Sequence, residues 1–157
     1  MKYPNLCKLT DKHGQTHGDT QWAIGVTHNA IGRGKEFCSP AVIHLYAHPL
    51  LAVLFNPVHA NFTDPKLWRV KAEVVASDGL KLGAKSVTIL KEIPLPIITI
   101  NQRVRFAIYC ALAVPHSAEF TAWAEKWLNG TDRTEKASWA ARAEAADGAA
   151  RAWAAAA

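Results

Sequence analysis

Apolar and polar positions change rhythm once along the chain, near residue 98. Before that point short apolar runs alternate with Gly and Pro turns. After it, apolar residues recur at helical spacing. Leu6 to Thr10 reads as a short strand, followed by the polar turn Asp11-Lys12-His13-Gly14. Gln21 to Val26 is a second short apolar piece, and Ala30 to Glu36 reads as a Gly-containing loop. Ala41 to Tyr46 is the best strand of this half, rich in β-branched and aromatic residues. Period-two alternation puts Val42, His44 and Tyr46 on one face and Ile43 and Leu45 on the other. Pro49 opens a helix that Asn56-Pro57 is expected to end. Trp68, Val70, Ala72 and Val74 alternate with Arg69, Lys71 and Glu73, a strand with one wet face. Asp78-Gly79 is a turn signal, and Val87 to Ile93 is a further strand.

Pro94 and Pro96 lead into the helical half. Thr99 and Gln102 fit a capping box. The helix behind them carries Val104, Ile108, Ala111 and Leu112 on one stripe, and Pro115 ends it. Ser117 caps a second helix with Phe120, Trp123 and Trp127 on one side, and Asn129-Gly130 closes it. From Ala137 to Ala157, 13 of 21 residues are Ala, a composition of high intrinsic helicity with little side chain to grip a core. Trp139 and Trp153 stand two heptads apart on this segment. Their rings suit an interface better than an intrachain core.

The expected fold is therefore α+β: a small mixed or antiparallel sheet with a short crossing helix, then helices ending in an Ala-rich one. Residues 1–98 form the strand-rich domain. Residues 99–136 are expected as helices packed on it, and 137–157 as an interface or extension. With 157 residues, half of them apolar, the chain can bury a core without disulfides or metal. The net charge is +5, and eleven basic against seven acidic residues fall in the first 98. These are scattered, so surface solvation is the plain reading and nucleic acid a weakly supported partner. Cys7, Cys38 and Cys110 include no CxxC pair, so neither a zinc knuckle nor a redox pair is indicated. No signal-peptide pattern or membrane-length apolar run occurs, and the expected setting is the cytoplasm. No metal or cofactor signature is present.

Several of these segments together carry a resemblance. Gly18-Asp19-Thr20-Gln21-Trp22, Cys38, Ile43-His44-Leu45-Tyr46, Pro49-Leu50-Leu51-Ala52-Val53, Asn56-Pro57, Asp78-Gly79-Leu80-Lys81 and Glu92-Ile93-Pro94-Leu95-Pro96 resemble a group of phage and bacterial proteins without assigned activity. A more distant, topological likeness is to the ADP-ribosyltransferase fold, in which a strand bearing His or Tyr runs into a helix inside a split sheet. That likeness implies a catalytic Glu, for which Glu73 and Glu92 are candidates by position only.

The cluster best able to hold chemistry is Trp22, Cys38, His44, Tyr46, His48 and His59. Trp22, His44, Tyr46 and His59 are the candidate ligand-binding residues. The plainer reading makes His44 and Tyr46 half-buried strand residues whose polar tips find backbone partners. Zinc between His44 and His48 is disfavoured, because i and i+4 on a strand lie ~13 Å apart. Two functions remain open. One is a non-enzymatic, phage-related accessory protein that binds a protein partner and self-associates through its terminal helix. The other is an ADP-ribosyltransferase-like enzyme or nucleotide binder using the His44–Tyr46 strand.

Overall fold

The computed structural model describes residues 3–134. Its architecture is α+β and divides into two compact units that meet between Ile98 and Thr99. The Trp139 and Trp153 interface and the Ala-rich segment lie outside the described residues.

The first unit contains seven strands: β1 (Cys7–Thr10), β2 (Gln15–Thr16), β3 (Thr20–Gln21), β4 (Thr27–Asn29), β5 (Ile43–Leu45), β6 (Lys66–Ser77) and β7 (Leu82–Ile93). Helix α1 (Pro49–His59) lies between β5 and β6. Every strand pairing among the described residues is antiparallel. Strands β6 and β7 form a long hairpin around Asp78–Lys81, where the Asp78 carboxylate accepts the amides of Leu80 and Lys81. The outer edge of β6 carries β1, and the outer edge of β7 carries β5 at Leu82–Ala84 and β4 at Ser86–Thr88. Cys7 and Tyr46 then exchange both backbone hydrogen bonds at 2.9 Å, joining β1 to β5. Strands β1, β6, β7 and β5 thus close into a ring.

This closure decides which side chains become interior. Leu6, Trp22, Leu45, Trp68, Val70, Leu82, Ala84, Val87 and Ile89 form one core cluster. Opposite faces of the same strands give Cys7, Leu9, Tyr46 and Leu67, which α1 covers through Ala52, Leu51 and Phe55. Gly83 permits the tight β5–β7 pairing, since a Cβ there would stand 3.0 Å from Val42 Cβ.

The apolar Gln21–Val26 piece leads from β3 through Trp22 and the Gly25 turn to β4. Two local expectations need correction. Helix α1 runs past Pro57 to His59, because losing one amide does not stop a helix whose next turn closes on Asn56; the amides of Ala60 and Asn61 both reach the Asn56 carbonyl. Finally, β7 starts at Leu82 rather than Val87, since pairing on both edges holds its Gly-Ala-Lys start extended.

The second unit contains α2 (Ile100–Leu112) and α3 (Ala118–Asn129). Thr99 and Gln102 make both bonds of the capping box. Gly130 ends α3 with φ of 84°, a left-handed cap that glycine adopts without strain. Ile108, Phe120, Ala124 and Trp127 form this unit's own core. No helix among the described residues is long and apolar enough to cross a membrane.

Candidate functional site

Among the described residues, β1 and the β5 end are paired at the single bridge between Cys7 and Tyr46. Beyond that bridge β1 pairs with β6 and β5 with β7. A cleft of about 1010 Å³ is lined by residues that include Lys8 and Leu9 of β1, Ile43 and His44 of β5 with the flanking Val42 and Tyr46, and Trp22, His28, Cys38, His59, Phe62 and Lys81. Trp22, His44, Tyr46 and His59, singled out from sequence, are thus brought to one cavity. His48 is not among its lining residues: it caps α1, its Nδ1 accepting the Leu50 amide at 3.2 Å.

Lys8 is the group that sequence reasoning missed. Alternation puts it on the same face as Leu6, which ring closure turns inward. It is 6% exposed, and its Nζ donates to the His44 carbonyl at 3.3 Å. The ammonium also stands 4.5 Å from the centroid of the Trp22 ring, a cation–π contact. No carboxylate forms an ion pair with it among the described residues, and burial pulls its pKa from 10.5 down to about 8. The Trp22 ring is fixed in turn: Nε1 donates to Thr16 Oγ1 at 2.9 Å, and the edge meets His28 at 4.5 Å between centroids.

The other wall is built around β5. His44 Nε2 accepts the Cys38 amide at 3.3 Å, so that nitrogen carries the lone pair. Burial first, then the nearby charges of Lys81 and Lys8, lower the His44 pKa and favour neutral imidazole. Cys38 reaches this position with φ of 59°, an uncommon backbone for a residue with a Cβ. Its Sγ lies 3.9 Å from Lys81 Nζ. On the same face, the Tyr46 hydroxyl and His59 Nδ1 are 2.9 Å apart, and burial pushes the phenol up to about 12. His59 also stacks on Phe55 at 5.0 Å.

Among the described residues, the lining holds four histidines, two lysines and no carboxylate. Asp78 is not among the lining residues; its carboxylate accepts its own turn amides, and the Lys81 charge helps to hold its pKa down. No three His, Cys, Asp or Glu side chains among the described residues converge as a metal-binding group. Glu73 and Glu92 are exposed on β6 and β7 and line no part of the cleft. Comparison of the chain with protein-family models, curated proteins and solved structures gave no match.

Proposed function

We propose that residues 1–98 form a binding unit for a nucleotide-like anion, seated in the cleft between β1 and β5. The observation that carries this reading is the cleft's composition: among the described residues two lysines and four histidines line it, and no acid does. A low-dielectric wall bearing two ammonium groups, with the histidines as hydrogen-bonding partners, concentrates anions. The volume exceeds what inorganic phosphate requires and falls at the upper end of small-molecule sites. Asn29, Thr16, Thr20 and Ser39 line the cleft and carry the amide and hydroxyl groups that a sugar would meet. Because neither Glu73 nor Glu92 reaches the cleft, the proposal is of binding and assigns no ADP-ribosyl transfer step. Self-association through residues 137–157 and a phage-related accessory role rest on sequence composition and resemblance alone.

Isothermal calorimetry with ADP tests the reading. ADP is expected to bind with an affinity that falls as salt rises, and adenosine to bind much more weakly. Lys81→Met, which removes one cation without opening the core, is expected to weaken ADP by about tenfold, or ~1.4 kcal/mol. Absence of heat at millimolar ADP would overturn the proposal.

A further inference from the structure

We propose that Lys8 is an amine nucleophile that forms a reversible imine with an aldehyde or ketone carried on an anionic ligand. The inference rests on the cleft reading above and adds the chemical class of the bound molecule.

The argument starts from position. Lys8 projects from β1 into the interior of a closed strand ring, opposite Trp68 in the β1–β6 register. That is a place for a hydrophobic residue, and the same face supplies Leu6 and Val70. A lysine kept only for packing would be expected with a carboxylate partner, because an unpaired buried charge is costly. Lys8 has instead a carbonyl oxygen and an aromatic face. Neither takes its proton, and both hold the amine in a fixed direction. Lys8 is nevertheless one of the residues that line the cleft, and the proposal places the ligand's carbonyl carbon against Nζ. A desolvated amine of this kind is the usual form of an imine-forming lysine. With its pKa drawn down by burial to about 8, about a quarter of Lys8 is free amine at pH 7.5. Lys81 shares the cleft but is less buried.

The chemistry balances without a further reactant. The Nζ lone pair attacks the carbonyl carbon, and the carbonyl oxygen takes up a proton as the C=O π bond opens. The resulting carbinolamine then loses water, the nitrogen giving up its second proton, to leave C=N. Water is the sole by-product, and nothing is oxidised or reduced. The Tyr46–His59 pair lines the same cavity and supplies the proton-exchanging groups, while the His44 Nε2 lone pair is engaged by the Cys38 amide.

Pyridoxal phosphate, an anionic aromatic aldehyde, serves as the probe. The full chain is incubated with it and cyanoborohydride, which reduces an imine to a stable secondary amine, and the labelled peptides are mapped by mass spectrometry. The expected result is Lys8 labelled at least tenfold faster than the exposed Lys12, Lys35, Lys71 and Lys91. That label should be lost in Lys8→Arg and slowed by excess ADP. Label spread over the exposed lysines, with Lys8 no faster than they are, overturns the proposal whether or not a variant folds. ADP binding, read separately by tryptophan fluorescence, divides the two ideas. ADP bound with Lys8 unlabelled removes the imine and leaves the anion cleft. Lys8 labelled with ADP silent keeps the imine and removes the nucleotide.

Discussion

Lys8→Met is expected to raise stability at pH 7 and to lose that advantage as the pH rises. In the folded chain the ammonium is disfavoured by burial, so its pKa falls from 10.5 to about 8. Below pH 8 both folded and unfolded chains hold the proton, and the full penalty of burying the charge is present. Between pH 8 and 10.5 the unfolded chain holds one proton more than the folded chain, so stability rises with pH through this window. The shift corresponds to a swing of ~3 kcal/mol in the difference between variant and wild type. Methionine also gives up the bond to the His44 carbonyl and the cation–π contact, together ~1–2 kcal/mol. The variant is therefore expected to be more stable at pH 7 by ~1–2 kcal/mol and less stable by a similar amount near pH 10.5. Urea unfolding of both proteins across pH 7–10.5 checks this, and a difference independent of pH would contradict it. The wild-type profile alone is less telling. Cys7 and Tyr46 are each pushed up to about 12 by burial. Each holds a proton that the unfolded chain releases above pH 9 or 10, so both oppose the Lys8 effect there. Comparison with the variant cancels them. A residue that lowers stability while facing a cleft fits a functional rather than a packing role.

Trp22→Ala is expected to cost ~3–5 kcal/mol. Trp22 is 2% exposed and belongs to the ring's core with Leu45, Trp68 and Val87. It is also the link that ties the β2–β3 hairpin to that core, through Thr16. The change removes a large buried ring, orphans the Thr16 hydroxyl and takes away the face beneath Lys8. A loss of this size is a large share of a small domain's total stability and corresponds to a melting temperature lower by roughly 15–30 °C. Thermal melts and urea unfolding give the value. A loss below ~1 kcal/mol would mean that Trp22 is not part of the ring's interior. Trp22→Phe keeps most of the buried area and is expected to lose only the Thr16 bond, ~1–2 kcal/mol.

The periodic elements were legible because local chemistry specifies them. Alternation from Trp68 to Val74 fixed β6, the Thr99–Gln102 pair fixed the start of α2, and Gly130 fixed the end of α3. What escaped was set by distant partners. Thr27–Asn29 is polar and exposed on two of its three positions, and only backbone pairing with β7 makes it a strand. Lys8 and Thr10 fall on alternate positions that a wet face would suit. A bridge between Cys7 and Tyr46, 39 residues apart, turns them inside, where Trp68 Nε1 donates to Thr10 Oγ1 at 2.9 Å. The candidate site divides in the same way. His44 and Tyr46 stand out as polar groups in an apolar strand, whereas the cleft's missing acids become visible only once the loops from Trp22 to Cys38 are placed. Helix α1 past Pro57 is a further case, because Asn56 also holds the Phe62 backbone through its side chain.

The most direct test of the anion cleft is a nuclear magnetic resonance titration of the nitrogen-labelled chain with ADP. The account predicts that chemical-shift changes concentrate at the amides of Lys8, Leu9, His44 and Lys81 and at the Trp22 indole. Ile108 and Ala124, in the helical unit, should stay in place. Unchanged spectra at millimolar ADP, or changes confined to residues 99–134, would contradict it.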